Sequence, residues 1–107
     1  MTITEILRDL QDPNTSPGRL SAINMFLAAD YARKSEEFGN ILGKKATAWP
    51  ALRAAHESDK QADKAWDAIL EGRLETSLRL ELKSYEKLMS AIKAHLRVRE
   101  MEARNLH

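Results

Sequence analysis

In the last third of the chain Leu78, Leu82, Tyr85, Met89, Ile92 and Leu96 recur at alternating intervals of four and three. That is the heptad spacing of a helix buried along one edge. Leu74 and Leu88 lie beside this seam and widen it, and its register runs on through Arg99, Ala103 and Leu106. The spacing predicts one helix from about Leu70 to Arg104, on the order of 50 Å long at 1.5 Å per residue. A compact domain of roughly 100 residues has a radius of gyration of only about 13 Å. A helix of that length predicts an elongated molecule.

The seam needs a cover, and one other stretch offers a long apolar stripe. Leu20, Ile23, Leu27, Tyr31, Phe38, Ile41 and Leu42 follow helical spacing from Arg19 onward, with Arg33, Lys34, Glu36 and Glu37 mostly off the stripe. Gly39 and Gly43 lie four apart and share a face, where they either fray the helix or admit a second helix closely. At Trp49-Pro50 the proline removes a backbone donor and crowds the preceding turn, so the helix is expected to kink or restart. Ser58-Asp59-Lys60-Gln61 then matches a capping box ahead of Ala62, Ala65, Trp66, Ile69 and Leu70, which places a turn near Ser58. The chain reverses there, with Trp49 and Trp66 packing at the bend.

At the other end, Thr2 to Gln11 reads as a short amphipathic helix with Ile3, Ile6, Leu7 and Leu10 on one side and Thr2 or Thr4 as its cap. The segment DPNTSPG that follows is the clearest break in the sequence. The predicted fold is all-α: an elongated, coiled-coil-like antiparallel helical hairpin over residues 19–107, with an N-terminal helix appended at 1–12 through a Pro/Gly linker at 13–18. The seam of the last helix takes roughly three positions in seven, while Asn24, Asp30 and Lys34 lie near its partner's stripe. Apolar surface left over predicts a homo-oligomer, most simply a symmetric dimer, with Leu78, Leu82, Tyr85, Met89, Ile92 and Leu96 as the oligomer seam.

Chemistry-bearing motifs are absent from the sequence. There is no cysteine, so disulfides, thiolate catalysis and cysteine-based zinc sites are excluded. His56, His95 and His107 fall in no H-E-x-x-H or E-x-x-H pattern, and no metal site is expected. Leu42-Gly43-Lys44-Lys45 lacks the earlier glycine and the following hydroxyl of a phosphate-binding loop. No catalytic residue and no cofactor is expected, and the chain reads as a non-enzyme. Its N-terminus alternates acid and base too early for a secretory signal, and no apolar run approaches the roughly 20 residues that span a bilayer. A cytoplasmic protein with no membrane partner is the expectation.

Formal net charge is +1 over 107 residues, so global charge makes no case for nucleic acid. Local charge is more informative. No acid lies between Lys87 and Arg99, while Lys87, Lys93, Arg97 and Arg99 supply four cations and Arg104 extends the set. Cations near a helix C-terminus favour its dipole, which accounts for part of this placement. Arg99 falls in the seam register, where a charge would be buried. Either the covering helix has ended by that point, or an acidic group from another chain meets it. Phosphate binding would draw on the same residues. With no aromatic side chain nearby except Tyr85 in the seam, any DNA contact would be to backbone, weak and non-specific, and strongly dependent on salt.

The ending LK-x-x-x-KLMSAI-x-x-x-LR-x-x-E-x-EARN, residues 82 to 105, and the pattern from Leu20 to Asn105 resemble small helical-hairpin proteins of bacteriophage early regions, which often neighbour recombination and replication genes. The resemblance implies a phage accessory protein in the host bacterial cytoplasm and transfers no active residue. The expected function is a non-enzymatic oligomeric helical scaffold for DNA recombination or replication. It would bind a recombinase, a single-strand-binding protein or the DNA backbone through Lys87, Lys93, Arg97, Arg99 and Arg104. Two alternatives use the same features: a phage inhibitor that blocks a host defence protein by direct binding, and a structural helical adaptor.

Overall fold

The computed structural model describes residues 1–105; the seam position at Leu106, His107 and the end of the hairpin domain drawn to residue 107 lie outside the described residues. Four helices, α1 (Ile3–Gln11), α2 (Pro17–Ala54), α3 (Asp59–Ala68) and α4 (Leu70–Asn105), make up the fold, and no strand occurs among the described residues. The fold is all-α, a helical hairpin of α2 and α4 with the short α3 between them and α1 at the N-terminus. The expected 35-residue rod is present: α4 is continuous over 36 residues.

Local chemistry sets the helix starts. Thr2 caps α1 through a full capping box, its Oγ1 accepting the Glu5 N–H at 3.1 Å while Glu5 accepts the Thr2 N–H at 3.4 Å. Ser16 accepts the Arg19 N–H at 3.0 Å, and Pro17 takes the first helical position, where no donor is needed. Pro17 and Gly18, read from sequence as linker, are thus helix. Ser58 accepts the Gln61 N–H at 3.2 Å and starts α3 as expected. The Gln61 side chain reaches past Ser58 to the Glu57 N–H at 3.1 Å.

Of the kink or restart expected at Trp49-Pro50, the restart does not occur, because α2 runs through Pro50 to Ala54. Pro50 and Ala46 are both exposed, so the carbonyl that loses its donor lies on the solvent side of the helix. Neither reading of Gly39 and Gly43 holds within this chain. Both sit inside an unbroken helix, and a Cβ added at either would meet nothing within 4 Å.

The chain forms two compact units, one of residues 1–31 with Ser84 onward and one of residues 32–83. In the first, Ile6, Leu20, Ile23, Leu27, Tyr85 and Ile92 form a buried core, flanked by Leu10, Tyr31, Leu88, Met89 and Leu96. Here α2 and α4 run antiparallel, with the Tyr85 hydroxyl donating to Asp30 and the Tyr31 hydroxyl donating to Glu86 at 2.7 Å. Helix α1 is no appendage, because Ile6 is 0% exposed inside that core. The division expected at residues 13–18 therefore separates no independent body.

In the second unit, Ile41, Trp66 and Leu78 are buried together with Phe38, Ala48 and Leu52 against them. Lys45 Nζ stands 6.0 Å from the ring centres of both Trp49 and Trp66, and 3.7 Å from the carboxylate of Glu75, which is only 3% exposed. Arg79 approaches the other Glu75 oxygen at 3.4 Å. Burying Glu75 requires these cations, since an unpaired buried carboxylate costs several kcal/mol. Gly72 is buried where the start of α4 crosses the end of α3. A Cβ there would lie 1.9 Å from the Trp66 carbonyl oxygen.

These cores correct one expectation. The seam read as an oligomer contact is used within the chain: Leu78, Tyr85 and Ile92 are buried and Leu82, Met89 and Leu96 are half-buried. A two-helix hairpin would have left its edge open. In the first unit α1 supplies Ile6 and Leu10 as additional cover, and in the second α3 supplies Trp66.

Candidate functional site

The five cations singled out from the sequence divide into two groups. Arg99 leaves the set. Its guanidinium donates to the backbone carbonyl of Thr15 and, at 2.8 Å, to that of Pro13. The cross-helix pairs Asp30–Tyr85 and Tyr31–Glu86 place the beginning of α2 level with about residue 98 of α4, so the covering helix has ended where Arg99 falls. The loop before α2 closes over that end, and Arg99 satisfies carbonyls that no helix reaches. Thr15, 8% exposed, secures the same loop by donating to the Asp9 carbonyl at 2.6 Å, and Arg19 pairs with the Asp9 carboxylate at 2.8 Å. The sequence clue was the combination of a charge in the seam register with the proline-rich loop, and only the fold joins the two.

This staple has a measurable consequence. Arg99→Ala is expected to remove two charge-assisted bonds from a partly exposed site and lower stability by about 1–2 kcal/mol. Arg99→Lys, which presents a point charge rather than a fork, should restore only part. Urea denaturation measures the loss. Amide exchange should place it in α1 and the 12–16 loop, and unchanged protection there would refute the staple.

The other four residues, Lys87, Lys93, Arg97 and Arg104, are exposed and none donates to a carboxylate among the described residues. At 3.6 residues per turn they fall within an arc of about 120° of α4 that begins about 60° round the helix from Leu96. Along the axis they extend over about 25 Å, taking 1.5 Å per residue. Two acids share this side of α4: Glu86, which lies within the arc and accepts the Tyr31 hydroxyl, and Glu100, three residues after Arg97 and four before Arg104. Across the same unit, α2 contributes little opposing charge. From Leu20 to Tyr31 its one acid is Asp30, and that carboxylate accepts the Tyr85 hydroxyl. The neighbouring exposed α2 side chains Ser21 and Ala28 are small and neutral.

The face is therefore a band of cations, without ion-pair partners among the described residues, beside a low, uncharged surface. It can attract and align an anion that is itself extended, and it offers no pocket to enclose a small one. A separate open cleft of about 520 Å³ lies between the α1–α2 loop and α4, lined by Leu10, Pro13, His95, Val98, Arg99 and Glu102 among others. Lys87, Lys93, Arg97 and Arg104 do not line it. Among the described residues no three His, Asp or Glu side chains converge in a way that could hold a metal ion, and no helix is long and apolar enough to cross a membrane. No family model matches the chain, and no match was found among curated proteins or solved structures.

Proposed function

We propose that this chain is a non-enzymatic, phage-encoded helical scaffold that serves DNA recombination or replication by holding an anionic component on the exposed face of α4. The observation that carries the reading is the segregation of cations: Lys87, Lys93, Arg97 and Arg104 share one face without ion-pair partners among the described residues, while Arg99 is spent on the fold. Surface lysines and arginines ordinarily alternate with acids on a solvated helix. Here the stretch from Lys87 to Arg99 contains no acid. An oligomeric form would present more than one such row and raise apparent affinity without new contacts.

The test uses the full chain and a variant with Lys87, Lys93, Arg97 and Arg104 all changed to Gln. All four are exposed and form no ion pair among the described residues, so the variant should keep its helicity and its denaturation midpoint. Immobilised wild-type protein is expected to retain a purified recombinase, a purified single-strand-binding protein or nucleic acid at low salt, and the variant to retain at least tenfold less. Equal retention by both proteins would remove this face from the function. Specific retention of a purified defence protein, with none of the others held, would replace the recombination role by an inhibitory one.

A further inference from the structure

The geometry of the α4 face carries a more specific assignment, which rests on the reading above: we infer that its ligand is the phosphate backbone of a nucleic acid duplex, held without regard to sequence. Three features of the face lead there.

The first is its shape. The four cations lie along one helix that is continuous from Leu70 to Asn105, so the backbone positions that carry them are fixed. A regular and rigid row of phosphates matches such a ruler with little ordering cost, whereas an acidic peptide loop must lose conformational freedom to do so. The second is its composition. Between Lys87 and Arg104 there is no Phe, Tyr or Trp. Tyr85 just before is 9% exposed and its hydroxyl is engaged with Asp30. Single-strand binders draw much of their affinity from bases stacked on aromatic rings; α4 supplies none from Lys87 to Arg104, and the half-buried Tyr31 of the α2 flank has its hydroxyl held by Glu86. Affinity must then follow charge density. A duplex carries one charge per about 1.7 Å of axis, against about 3.4 Å for each strand.

The third feature is the flank. Beside the cations, α2 presents Ser21 and Ala28 with no competing acid, and the one acid of that stretch, Asp30, is bonded to Tyr85. A duplex about 20 Å wide needs a low shoulder of this kind to lie against a helix without entering a pocket. No side chain on the face is placed to read base edges, so contacts stay on phosphate and sugar.

The size of the effect follows from the number of cations. Four phosphate contacts give a slope of log K against log salt of about −3.6 on a duplex, and about −2.8 on a single strand. Between 50 and 200 mM salt, duplex affinity should therefore fall by roughly 150-fold. The experiment is fluorescence anisotropy of the full chain with a labelled 20-base-pair duplex, the corresponding single strand, and labelled polyglutamate of matched charge, over a salt series. The expected result is duplex bound more tightly than either competitor, the same affinity for unrelated duplex sequences, and a slope between about −3 and −4. The quadruple Gln variant should lose binding, and Lys60→Gln, which changes an exposed cation of the other unit, should not. A single strand bound more tightly than the duplex would overturn the assignment. So would the absence of nucleic acid binding at the lowest salt. Polyglutamate bound as tightly as the duplex would also overturn it while leaving the anionic-partner reading in place, because the quadruple variant would then lose polyglutamate. If the variant binds every probe as the wild type does, both readings fall.

Discussion

Replacing Trp66 by alanine should lower stability by about 3–5 kcal/mol, the cost of emptying a large aromatic site in a packed core. Trp66 is 2% exposed, shares its core with Ile41 and Leu78, and forms one wall against which Lys45 stands. In a domain of about 100 residues such a loss corresponds to a fall in Tm of the order of 15 °C. The loss is one of volume and contact, because the indole Nε1 has no hydrogen-bond partner among the described residues. Trp66→Phe therefore separates two accounts. If packing dominates, Phe should cost less than about 1.5 kcal/mol; if the indole nitrogen mattered, Phe should resemble Ala. Guanidinium denaturation of the three proteins decides between them, and an alanine variant within 1 kcal/mol of wild type would show that this unit is not organised around Trp66.

The second large effect should come from adding one methyl group. Gly72→Ala places a Cβ 1.9 Å from the Trp66 carbonyl oxygen, 2.6 Å from its carbonyl carbon and 2.8 Å from the Asp67 Cα. All three are backbone atoms, so no rotamer change relieves the overlap and the junction between α3 and α4 must open. A cost of about 3 kcal/mol is expected, at the upper end for overpacking. The sign is the informative part. Glycine inside a helix ordinarily gains stability on mutation to alanine, by up to about 1 kcal/mol. Gly39→Ala and Gly43→Ala should follow that rule, since a Cβ at either position meets nothing within 4 Å. Three single substitutions to the same residue should therefore divide two to one in thermal denaturation. A stabilised Gly72→Ala would contradict the crossing geometry.

Much of the fold was legible because its signals are periodic. The seam from Leu78 to Leu96 and the stripe from Leu20 to Ile41 each repeat often enough to define a helix and its buried side, and Ser58 marked the start of α3 by the spacing of a side-chain cap. What escaped depends on contacts between residues far apart in sequence. Gly72 looks like any helix glycine until Trp66 is brought across it. Glu75 looks like one more surface acid, yet it is 3% exposed between Lys45 and Arg79. Pro50 reads as a kink or restart, but its missing bond falls on an exposed face, where the loss is cheap enough for α2 to continue without a break. For the candidate site, sequence located the cations and could not divide them. The arc shared by Lys87, Lys93, Arg97 and Arg104 follows from helical geometry alone, whereas the diversion of Arg99 required the loop at Pro13 and Thr15 to fold back over it.

The two tyrosine–carboxylate pairs of the first unit have an outcome for motion. Heptad packing by itself tolerates a slide of seven residues, because each apolar position is replaced by the next of its kind. Here such a gear change is blocked in both directions. One direction sets the Asp30 carboxylate against Ile92; the other sets the Tyr85 hydroxyl against Ile23, where it finds only hydrocarbon. Stranding either group costs about 1–3 kcal/mol, more for the charged one. The pairs work as detents, and any signal passed along this stretch must travel by bending or fraying, not by one helix ratcheting past the other.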